Sequence, residues 1–324
     1  MTDVAAPELE RTLEQHRPEL TAHCYRMLGS SFEAEDAVQE TLVRAWRGFD
    51  NFEGRAALRS WLYRIATNVC LDMLQSRKRR ALPMDLGPSS SGDAEAGDRL
   101  PESMWLQPIP DRAAVPPNDD PAELASSRET IRVAFVAALQ HLPPRQRAVL
   151  ILREVLRWKA SEVAELLDTS VASVNSALQR ARSTLAESNV TDSDPFRPGD
   201  DAQQALLTRY VDAFERFDIE SLVSLLHEDA TMTMPPYDLW LHGADEFRKW
   251  LLGAGAGCRG SRFAPVEANG SPAFAQWRPS ETGSGFDAWA IHVLQVSGGR
   301  ISGIDFFVDP NLFPAFGLPL RLEP

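Results

Sequence analysis

The sequence predicts a multidomain protein in which two all-α domains precede an α+β domain. Apolar residues recur at helical spacing through residues 8–80 and again through residues 123–187. An acidic stretch rich in Pro, Gly and Ser separates these two segments at residues 81–122. From residue 203 onward, helical patterns give way to strand-like runs, which is the element order of an α+β domain. A chain of 324 residues can form two or three such domains, each with its own core.

The first segment, residues 8–80, is predicted to be helical throughout. Leu20, Tyr25 and Leu28 mark a run that Gly29 ends, and the runs over 34–49 and 57–74 are longer and strongly periodic. The second segment resumes with helices over 123–142. The Pro143-Pro144 pair ends one helix and opens the next, because proline fits the first turn of a helix but interrupts its interior.

Residues 159–186 read as two amphipathic helices around the short polar turn Asp168-Thr169-Ser170. The predicted inward positions are Val163, Leu166 and Leu167 in the first helix and Val171, Val174, Leu178 and Leu185 in the second. Two helices joined by such a turn form a helix-turn-helix, whose second helix can enter a DNA major groove. An ordinary helical hairpin gives the same pattern and stays open on these residues alone.

The last part of the chain begins with a second short linker at residues 188–202. The α+β domain is predicted over 203–316, and a tail follows at 317–324. Its strand candidates end in two long runs joined by Gly298-Gly299, which predicts a two-residue hairpin. The first linker, residues 81–122, is predicted to be flexible because acidic and turn-forming residues dominate it.

Charge is distributed unevenly along the chain. The net charge is −13, yet residues 128–187 carry +3 and residues 81–127 carry −7. A second basic cluster is Arg77-Lys78-Arg79-Arg80. DNA binding needs local positive charge, but a chain this acidic should bind free duplex weakly. We therefore expect a partner protein that contributes most of the affinity for DNA.

The composition is that of a globular protein of the cytoplasm, and we expect no membrane partner. No apolar run approaches the length of a bilayer span, and the acidic N-terminus does not read as a secretory signal. The cysteines Cys24, Cys70 and Cys258 are far apart, which argues against a zinc site. We expect neither a metal nor a cofactor.

Two segments resemble a known family. The stretch RPELTAHCYRMLGSSFEAEDAVQETLVRAW with ALRSWLYRIATNVCLDMLQSRKRR looks like region 2 of the bacterial sigma-70 family. The stretch AALQHLPPRQRAVLILREVLRWKASEVAELLDTSVASVNSALQRARSTL looks like region 4. Their order and the linker between them resemble an extracytoplasmic-function (ECF) sigma factor. The resemblance assigns residues 8–80 to region 2 and residues 123–187 to region 4.

The resemblance implies two partners, namely promoter DNA and the clamp and flap of RNA polymerase core. The helix DAVQETLVRAW matches the segment that docks on the clamp. The polymerase-binding residues expected from this match are Asp36, Gln39, Glu40, Val43, Arg44 and Trp46. Acidic and amide groups beside an aromatic ring suit a mixed polar and apolar interface.

The resemblance also implies which residues meet DNA. Melting the −10 element requires unstacked bases to be caught by stacking and by edge hydrogen bonds. The residues expected at the −10 element are Phe52, Arg59, Trp61, Arg64, Asn68, Arg77, Lys78, Arg79 and Arg80. Trp61 is equally consistent with a core position, and the basic cluster with a solvated helix end.

The second helix of the helix-turn-helix is expected to read the −35 element. The expected readers are Ser173, Asn175, Ser176, Gln179, Arg180 and Arg182. The family often has Gly-Thr at the start of this helix and basic residues on either side of the serine. This chain has Ala172-Ser173 there, with Asn175 and Ala177 around Ser176. The phosphate affinity should therefore be lower than is usual in the family.

Residues 203–316 resemble the SnoaL-like branch of the NTF2-like superfamily, which forms a cone around a pocket. The resemblance rests on element order and on YVDAFERFDIESLVSLLHEDATMTMP. A two-residue Gly298-Gly299 loop would place His292 opposite Asp305, where they could form a catalytic pair. A structural pairing of the two is favoured over a catalytic one. The predicted pocket, which could hold a small ligand, comprises Tyr237, Trp240, His242, Trp277, His292 and Asp305.

Three functions are compatible with these features. The first is a non-enzymatic transcription-initiation factor regulated in cis by its C-terminal domain. The second is a bifunctional sigma factor whose C-terminal domain binds a small ligand or catalyses a reaction. The third is a repressor that acts without polymerase, and it leaves the helix around Asp36 to Trp46 without a role.

Overall fold

The computed structural model describes residues 5–52, 57–75, 79–116, 120–187, 193–197, 199–281 and 283–324. The chain forms two compact units. The helical unit contains residues 1–80 and 112–190, and the α+β unit contains residues 81–111 and 191–324. None of the helices in the described ranges is long and apolar enough to cross a membrane.

The helical unit joins the two predicted all-α segments into one body. Its helices are α1 (Ala5–Glu14), α2 (Arg17–Leu28), α3 (Ser31–Gly48), α4 (Leu58–Leu74), α5 (Asp111–Ala114), α6 (Pro121–Glu129), α7 (Val133–Gln140), α8 (Pro144–Leu150), α9 (Ala160–Leu166) and α10 (Val171–Glu187). A π-type turn, Ile151–Val155, continues α8. The helices predicted over 123–142 are two, α6 and α7, separated by a short non-helical turn.

Local signals set the helix ends as the sequence predicts. Gly29 adopts φ 71° and ends α2, and its amide donates to the Tyr25 carbonyl. Ser30 then caps α3, since its hydroxyl accepts from the Glu33 amide. In the helix-turn-helix, Asp168 takes φ 48° and the Ser170 hydroxyl accepts from the Ser173 amide, which separates α9 from α10. Apolar faces of these helices form the core of the unit.

The buried guanidinium of Arg147 joins the region 2 segment to the region 4 segment. Arg147 lies on α8 and is 3% exposed. It donates to the Met27 carbonyl of α2, to the Gln140 side chain at 2.6 Å and to the Gln140 and Leu142 carbonyls at 3.1 Å. Burial lowers the pKa of Arg147 to about 10, so it remains charged near neutral pH.

Further contacts extend this junction, which we call the region 2–4 seam. Arg26 of α2 is buried and donates to the Thr130 carbonyl at 3.1 Å and to its hydroxyl at 2.6 Å. Tyr63 of α4 meets Trp158 edge to face, with ring centroids 5.5 Å apart. The seam therefore combines buried charge, hydrogen bonds and aromatic packing.

The α+β unit is a curved sheet covered by three helices. The helices are α11 (Asp201–Glu215), α12 (Ile219–Ser224) and α13 (Ala244–Leu252). The strands are β1 (Leu226–Thr233), β2 (Trp240–His242), β3 (Arg262–Ala268), β4 (Ser271–Pro279), β5 (Phe286–Ser297), β6 (Arg300–Phe307) and β7 (Arg321–Leu322). The sheet order is β2-β1-β6-β5-β4-β3, with β7 paired to β5. The sheet is mixed, because β1 runs parallel to β6 and the other pairs are antiparallel.

The concave face of this sheet and the helices enclose an aromatic core. Tyr210 and Phe214 of α11 pack against Phe274 of β4 and Phe306 of β6. All four side chains are buried. Large rings therefore fill the interior of the cone, where related folds can hold a pocket.

The prediction of a flexible linker over 81–122 is wrong for residues 81–111, which form part of the α+β unit. We call this segment the strap. The Ser90 amide donates to the Trp240 carbonyl at 2.7 Å, and the Leu100 amide donates to the Pro236 carbonyl at 2.9 Å. Trp105, Leu106 and Ile109 are buried. The composition suggested disorder, but these few apolar residues and the backbone hydrogen bonds fix the strap.

Replacing Arg147 by alanine tests the seam. We expect the free energy of unfolding of the helical unit to fall by about 3 kcal/mol, because the groups that Arg147 pairs with stay buried without a donor. Urea unfolding of the full chain, followed by far-ultraviolet circular dichroism, measures this change.

Arg145→Ala is the matched control, because Arg145 is exposed on the same helix. Its effect should stay below about 0.5 kcal/mol. Equal stability of the two variants would contradict the role given to Arg147.

Candidate functional site

One face of α3 presents the predicted polymerase-binding residues to solvent. Val43 is 37% exposed and Trp46 is 43% exposed, whereas Leu42 beside them is buried at 9%. Large apolar side chains left open on a regular helix indicate a contact surface. All six predicted residues are exposed on this face: Asp36, Gln39, Glu40, Val43, Arg44 and Trp46.

A groove with a cavity volume of about 470 Å³ runs between α1 and α3 beside these residues. Leu13 and Leu42 lie at its base, while Val43 and Trp46 line the α3 side. Glu10 and Glu14 of α1 and Arg17 and Arg47 give the groove a rim of both charges. The shape suits one helix of a partner that brings apolar and polar side chains together.

The predicted −10 residues include an aromatic cluster. The rings of Phe52 and Trp61 lie 5.0 Å apart at 33°, and Phe49 stacks on Phe52 at 5.9 Å. Phe52 and Trp61 are half-buried rather than enclosed, so each keeps an exposed part. Asn68, seven residues after Trp61 on α4, is also exposed. A partly exposed aromatic ring can stack a base, and an exposed amide can hydrogen-bond a base edge.

Two arginines of the −10 set already have acidic partners. Arg59 donates to Glu19 at 2.6 Å and lies over the Tyr63 ring at 5.1 Å from its centroid. Arg64 donates to Glu165 of α9 at 3.3 Å. The Arg64 pair spans the seam between region 2 and region 4, so this arginine meets the helix-turn-helix rather than solvent alone.

The residues of the basic cluster at the end of region 2 lie in different environments. Arg77 and Lys78 lie outside the described residues. Arg79 is exposed and donates to the His141 ring at 2.7 Å. Arg80 is 7% exposed and pairs with Glu33 at 2.7 Å. The predicted DNA-backbone contact of Arg80 is wrong for this arrangement, because an internal carboxylate holds its guanidinium.

The second helix of the helix-turn-helix, α10, has one buried and one exposed face. Val174, Leu178 and Ala181 are buried against the unit. The predicted −35 readers are all exposed: Ser173, Asn175, Ser176, Gln179, Arg180 and Arg182. Asn175 and Gln179 lie one turn apart, so their amides share a face with the dimensions of a major-groove reader.

Two details of α10 differ from the sequence prediction. Val171 was expected to face inward but is 43% exposed at the first turn of the helix. It adds an apolar group beside the predicted readers, of the kind that contacts thymine methyls. Arg182 pairs with Glu154 at 2.7 Å, an interaction between exposed side chains that DNA can displace.

The predicted pairing of His292 with Asp305 is wrong. The Gly298-Gly299 loop forms as expected, since Ser297 pairs with Arg300. A β-bulge between Gln295 and Val296 then shifts the register by one residue. His292 consequently lies opposite Phe306, and Asp305 lies opposite Val293. A one-residue shift sends the two side chains to opposite faces of the sheet.

His292 lies inside the aromatic core with its hydrogen bonds satisfied. The Tyr210 hydroxyl and His292 Nδ1 are 2.9 Å apart, and His292 Nε2 and Gln276 Oε1 are 2.7 Å apart. Gln276 then donates to the Ser261 hydroxyl at 2.8 Å. Burial lowers the pKa of His292 to about 3, so the ring stays neutral and couples to no carboxylate.

Asp305 is 2% exposed on the other face of the sheet. It accepts from the Thr233 hydroxyl at 2.7 Å and from the Gln295 amide at 3.2 Å. Burial raises the pKa of Asp305 to about 6, and the two hydrogen bonds offset part of that effect. Neither neighbour is a base that could share a proton with it.

The other residues predicted for the pocket do not converge with His292. Trp277 packs against Phe313 and donates to the Pro319 carbonyl at 3.0 Å. Trp240 on β2 donates to the Gly87 carbonyl of the strap at 2.9 Å, and His242 is exposed next to it. Tyr237 is half-buried below Arg99, again a residue of the strap. Among the described residues, the predicted pocket therefore does not form as one cavity.

Three sequence families match the chain. Residues 12–80 match Sigma-70 region 2, residues 132–185 match Sigma-70, region 4, and residues 207–304 match the SnoaL-like domain. These ranges coincide with the seam-forming helical segments and with the α+β unit. The family matches agree with the resemblances that the sequence motifs carry.

Two curated relatives align with nearly the whole chain. ECF RNA polymerase sigma factor SigG of Mycobacterium tuberculosis is 46% identical over 310 residues, which cover 94% of this chain and 82% of that protein. ECF RNA polymerase sigma factor SigJ of the same species is 27% identical over 319 residues, covering 95% of this chain and 93% of that protein. The crystal structure of SigJ shows the same fold at a TM-score of 0.59 and 24% identity, covering 97% of this chain and 99% of that chain.

The helical unit carries an exposed α3 face and a helix-turn-helix, the three family models match successive parts of the chain, and SigG is 46% identical over 94% of it. From these findings we conclude that the chain belongs to the ECF sigma factors of the sigma-70 family, in the form that carries a C-terminal SnoaL-like domain.

Proposed function

We propose that this sigma factor docks on RNA polymerase core through the exposed face of α3 and reads both promoter elements. The observation that carries the proposal is the pair of exposed apolar side chains, Val43 and Trp46, on a face whose other members are polar. The clamp is the proposed partner of this face and the flap that of region 4. The −10 element is proposed to meet the Phe52–Trp61 cluster and Asn68.

The −35 element is proposed to meet the exposed face of α10. Asn175 and Gln179 suit adenine edges, and Arg180 suits guanine. Asn175 and Ala177 stand where the family often has basic residues, so fewer phosphates are neutralised. Promoter binding by this chain should therefore depend on polymerase for affinity and on α10 for selectivity.

The seam has a consequence for promoter reading. By their names, the two elements are centred roughly 25 base pairs apart, which is on the order of 80 Å of B-DNA. Regions 2 and 4 in seam contact cannot span that distance. We propose that the arrangement described is the closed form of the free protein. Binding to polymerase and promoter would separate Arg64 from Glu165 and Arg147 from Met27.

The strap supports regulation in cis by the SnoaL-like domain. A free linker over 81–122 could reach about 140 Å when extended, whereas the eleven residues left by a docked strap reach about 36 Å. The domain can thus limit how far region 4 moves from region 2. Release of the strap would lengthen the tether.

Gly92 is the tightest point of the strap. Its amide donates to Glu246 at 2.6 Å, and a Cβ there would lie 2.3 Å from the Glu246 carbonyl oxygen and 2.7 Å from Lys249 Cβ. These distances exclude any side chain without a shift of the strap or of α13.

The bifunctional alternative has little support in the cone. A neutral histidine enclosed by phenyl rings and a carboxyl on the opposite face of the sheet do not form an acid–base pair. We propose that the SnoaL-like domain of this chain has a regulatory role and no catalytic one.

Truncation tests regulation in cis. A chain ending at Glu187 should still bind core polymerase, with a Kd within about threefold of the full chain, because the α3 face is intact. Its transcript yield in vitro should differ from that of the full chain, since the tether is then free. Trp46→Glu is the control that should lose core binding. Equal yields from the truncated and full chains would exclude a regulatory domain.

Gly92→Val tests the strap. We expect amide hydrogen exchange at Ser90 and Leu100 to rise by about tenfold or more, because those hydrogen bonds depend on the docked strap. Transcript yield should shift in the same direction as for the truncation. Gly87→Val is the matched control, because a Cβ at Gly87 meets nothing within 4 Å. If exchange becomes fast but transcription is unchanged, the strap has no part in the proposed regulation.

Asp305→Asn tests the buried carboxyl through the pH dependence of stability. The unfolded carboxyl loses its proton near its ordinary pKa of 3.8, but the folded one keeps it until about 6. Stability is therefore lost as pH rises between those values, by about 3 kcal/mol in total. The variant should gain stability relative to the natural chain over that range, as measured by urea unfolding.

Asp229→Asn, at an exposed position, is the control and should show no such gain. His23 and His292, whose pKa values burial lowers to about 3, destabilise the chain in acid, but they do so equally in both proteins. A variant curve parallel to that of the natural chain would show that Asp305 is not titrated differently on folding. Transcription should be the same in all three proteins.

A further inference from the structure

A solvent-open groove on the flank of α11 lies next to the filled interior of the cone. Its cavity volume is about 720 Å³. Protein sites for small organic ligands have volumes of this order. We call it the α11 groove and define it by Leu207, Val211 and Glu215 of α11, Glu267 of β3, and Pro272 and Phe274 of β4.

Helix and strand each present one face to the groove. Leu207, Val211 and Glu215 follow one another at four-residue spacing along α11. Glu267 pairs with Pro272 across the β3–β4 hairpin, so these two lie on the same face of the sheet. Leu207, Pro272 and Phe274 are buried and form an apolar base.

The rim of the groove is acidic. Its charged lining residues are Asp212, Glu215 and Glu267, and the lining set includes no Lys, Arg or His. Asp212 is partly neutralised by Arg216 at 2.5 Å. Glu215 uses one carboxylate oxygen to accept from the Phe263 amide at 3.0 Å. Glu267 is exposed and makes no ion pair with any described residue.

The edge of the sheet beside the groove is closed to an added strand. Phe263 has its outward amide bound by Glu215, and Pro265, two residues on, has no amide hydrogen. Pro110 of the strap forms a bridge with Ala268 at the far end of the same edge. Extended peptides bind by pairing with such amides, so the groove suits a compact ligand instead.

We propose that the α11 groove binds a small organic cation, a protonated amine carried on an apolar body. Leu207, Val211 and Phe274 would cover the apolar body, and Glu267 and Glu215 would attract the ammonium group. The proposal deepens the regulatory role proposed above and rests on it for its biological meaning, although binding itself can be measured without transcription.

The position of the groove connects such a ligand to region 4. Phe196, in the segment that leads from region 4 to the α+β unit, lines one end of the groove. That segment is held by the Asp194 amide, which donates to the Val296 carbonyl at 2.7 Å, and by Gln203, which donates to the Pro195 carbonyl at 3.0 Å. A ligand against Phe196 would contact this connection directly.

Three probes with one apolar cage and different charges test the proposal: 1-adamantylamine, 1-adamantanol and 1-adamantanecarboxylate. They are titrated into the purified full chain and followed by the methyl NMR signals of Leu207 and Val211. We expect the amine to bind about tenfold more tightly than the carboxylate, with the alcohol between them, because only the cation is attracted by the rim.

Variants locate the binding. Glu267→Gln should weaken amine binding by about threefold, as expected for one exposed charge, whereas the exposed Glu228, away from the groove, can be changed to Gln without effect. Thr208 also lines the groove and is exposed. Thr208→Trp should block the groove and abolish the methyl shifts, and Thr208→Ala should not. Thermal unfolding of each variant confirms that the fold is intact.

Several outcomes would overturn the proposal: no binding at millimolar concentration, equal binding of all three probes, or amine binding that survives Thr208→Trp. None of them affects the sigma assignment, because core binding and transcription are measured separately. Conversely, unchanged transcription by the truncated chain would contradict the regulatory role, but it would not affect the finding of selective amine binding.

Discussion

The buried guanidinium of Arg147 is the interaction on which the described arrangement of this protein depends. It links three backbone carbonyls and one side chain contributed by α2, α7 and the turn that precedes α8. A charge in a protein interior needs hydrogen-bond acceptors, and both terminal nitrogens of Arg147 have them, whereas its buried Nε has none. The region 2 and region 4 segments therefore meet in one defined geometry, and Arg26 with Thr130 and Tyr63 with Trp158 complete it.

The main structural role of the SnoaL-like domain in this chain is to bind other segments of the polypeptide. Its cone is filled by Tyr210, Phe214, Phe274 and Phe306, and its polar groups pair with one another. The surfaces that remain available hold the strap on one side and form the α11 groove on another. A domain that binds the segment connecting regions 2 and 4 can fulfil the regulatory role proposed above without any catalytic activity.

Much of the fold could be predicted from the sequence, because helical and strand periodicities are local properties. The Gly298-Gly299 hairpin forms where the dipeptide predicts. The failures have a common physical cause in tertiary structure. A bulge near Gln295 moves His292 away from Asp305, and packing orders a strap whose composition suggests disorder.

The functional surfaces divide in the same way. Exposure of the α3 and α10 faces follows from helical periodicity, whereas the roles expected of their residues come from the family resemblance. The burial of Arg80 against Glu33 and the pairing of Arg64 with Glu165 could not be, because the partners are distant in sequence. The crowding around Gly92 depends on α13 and is equally invisible in the sequence.

We propose that regions 2 and 4 contact each other in the free protein and separate when the protein binds polymerase. The most direct measurement is the distance between spin labels on Gln75→Cys and Ser161→Cys, two exposed positions on either side of the seam. The natural cysteines, Cys24, Cys70 and Cys258, are buried and should remain unlabelled. We predict a single short distance between the labels in the free protein. This distance should increase by tens of ångströms when core polymerase and promoter DNA are bound. An unchanged distance, or a long and broad distribution in the free protein, would contradict it.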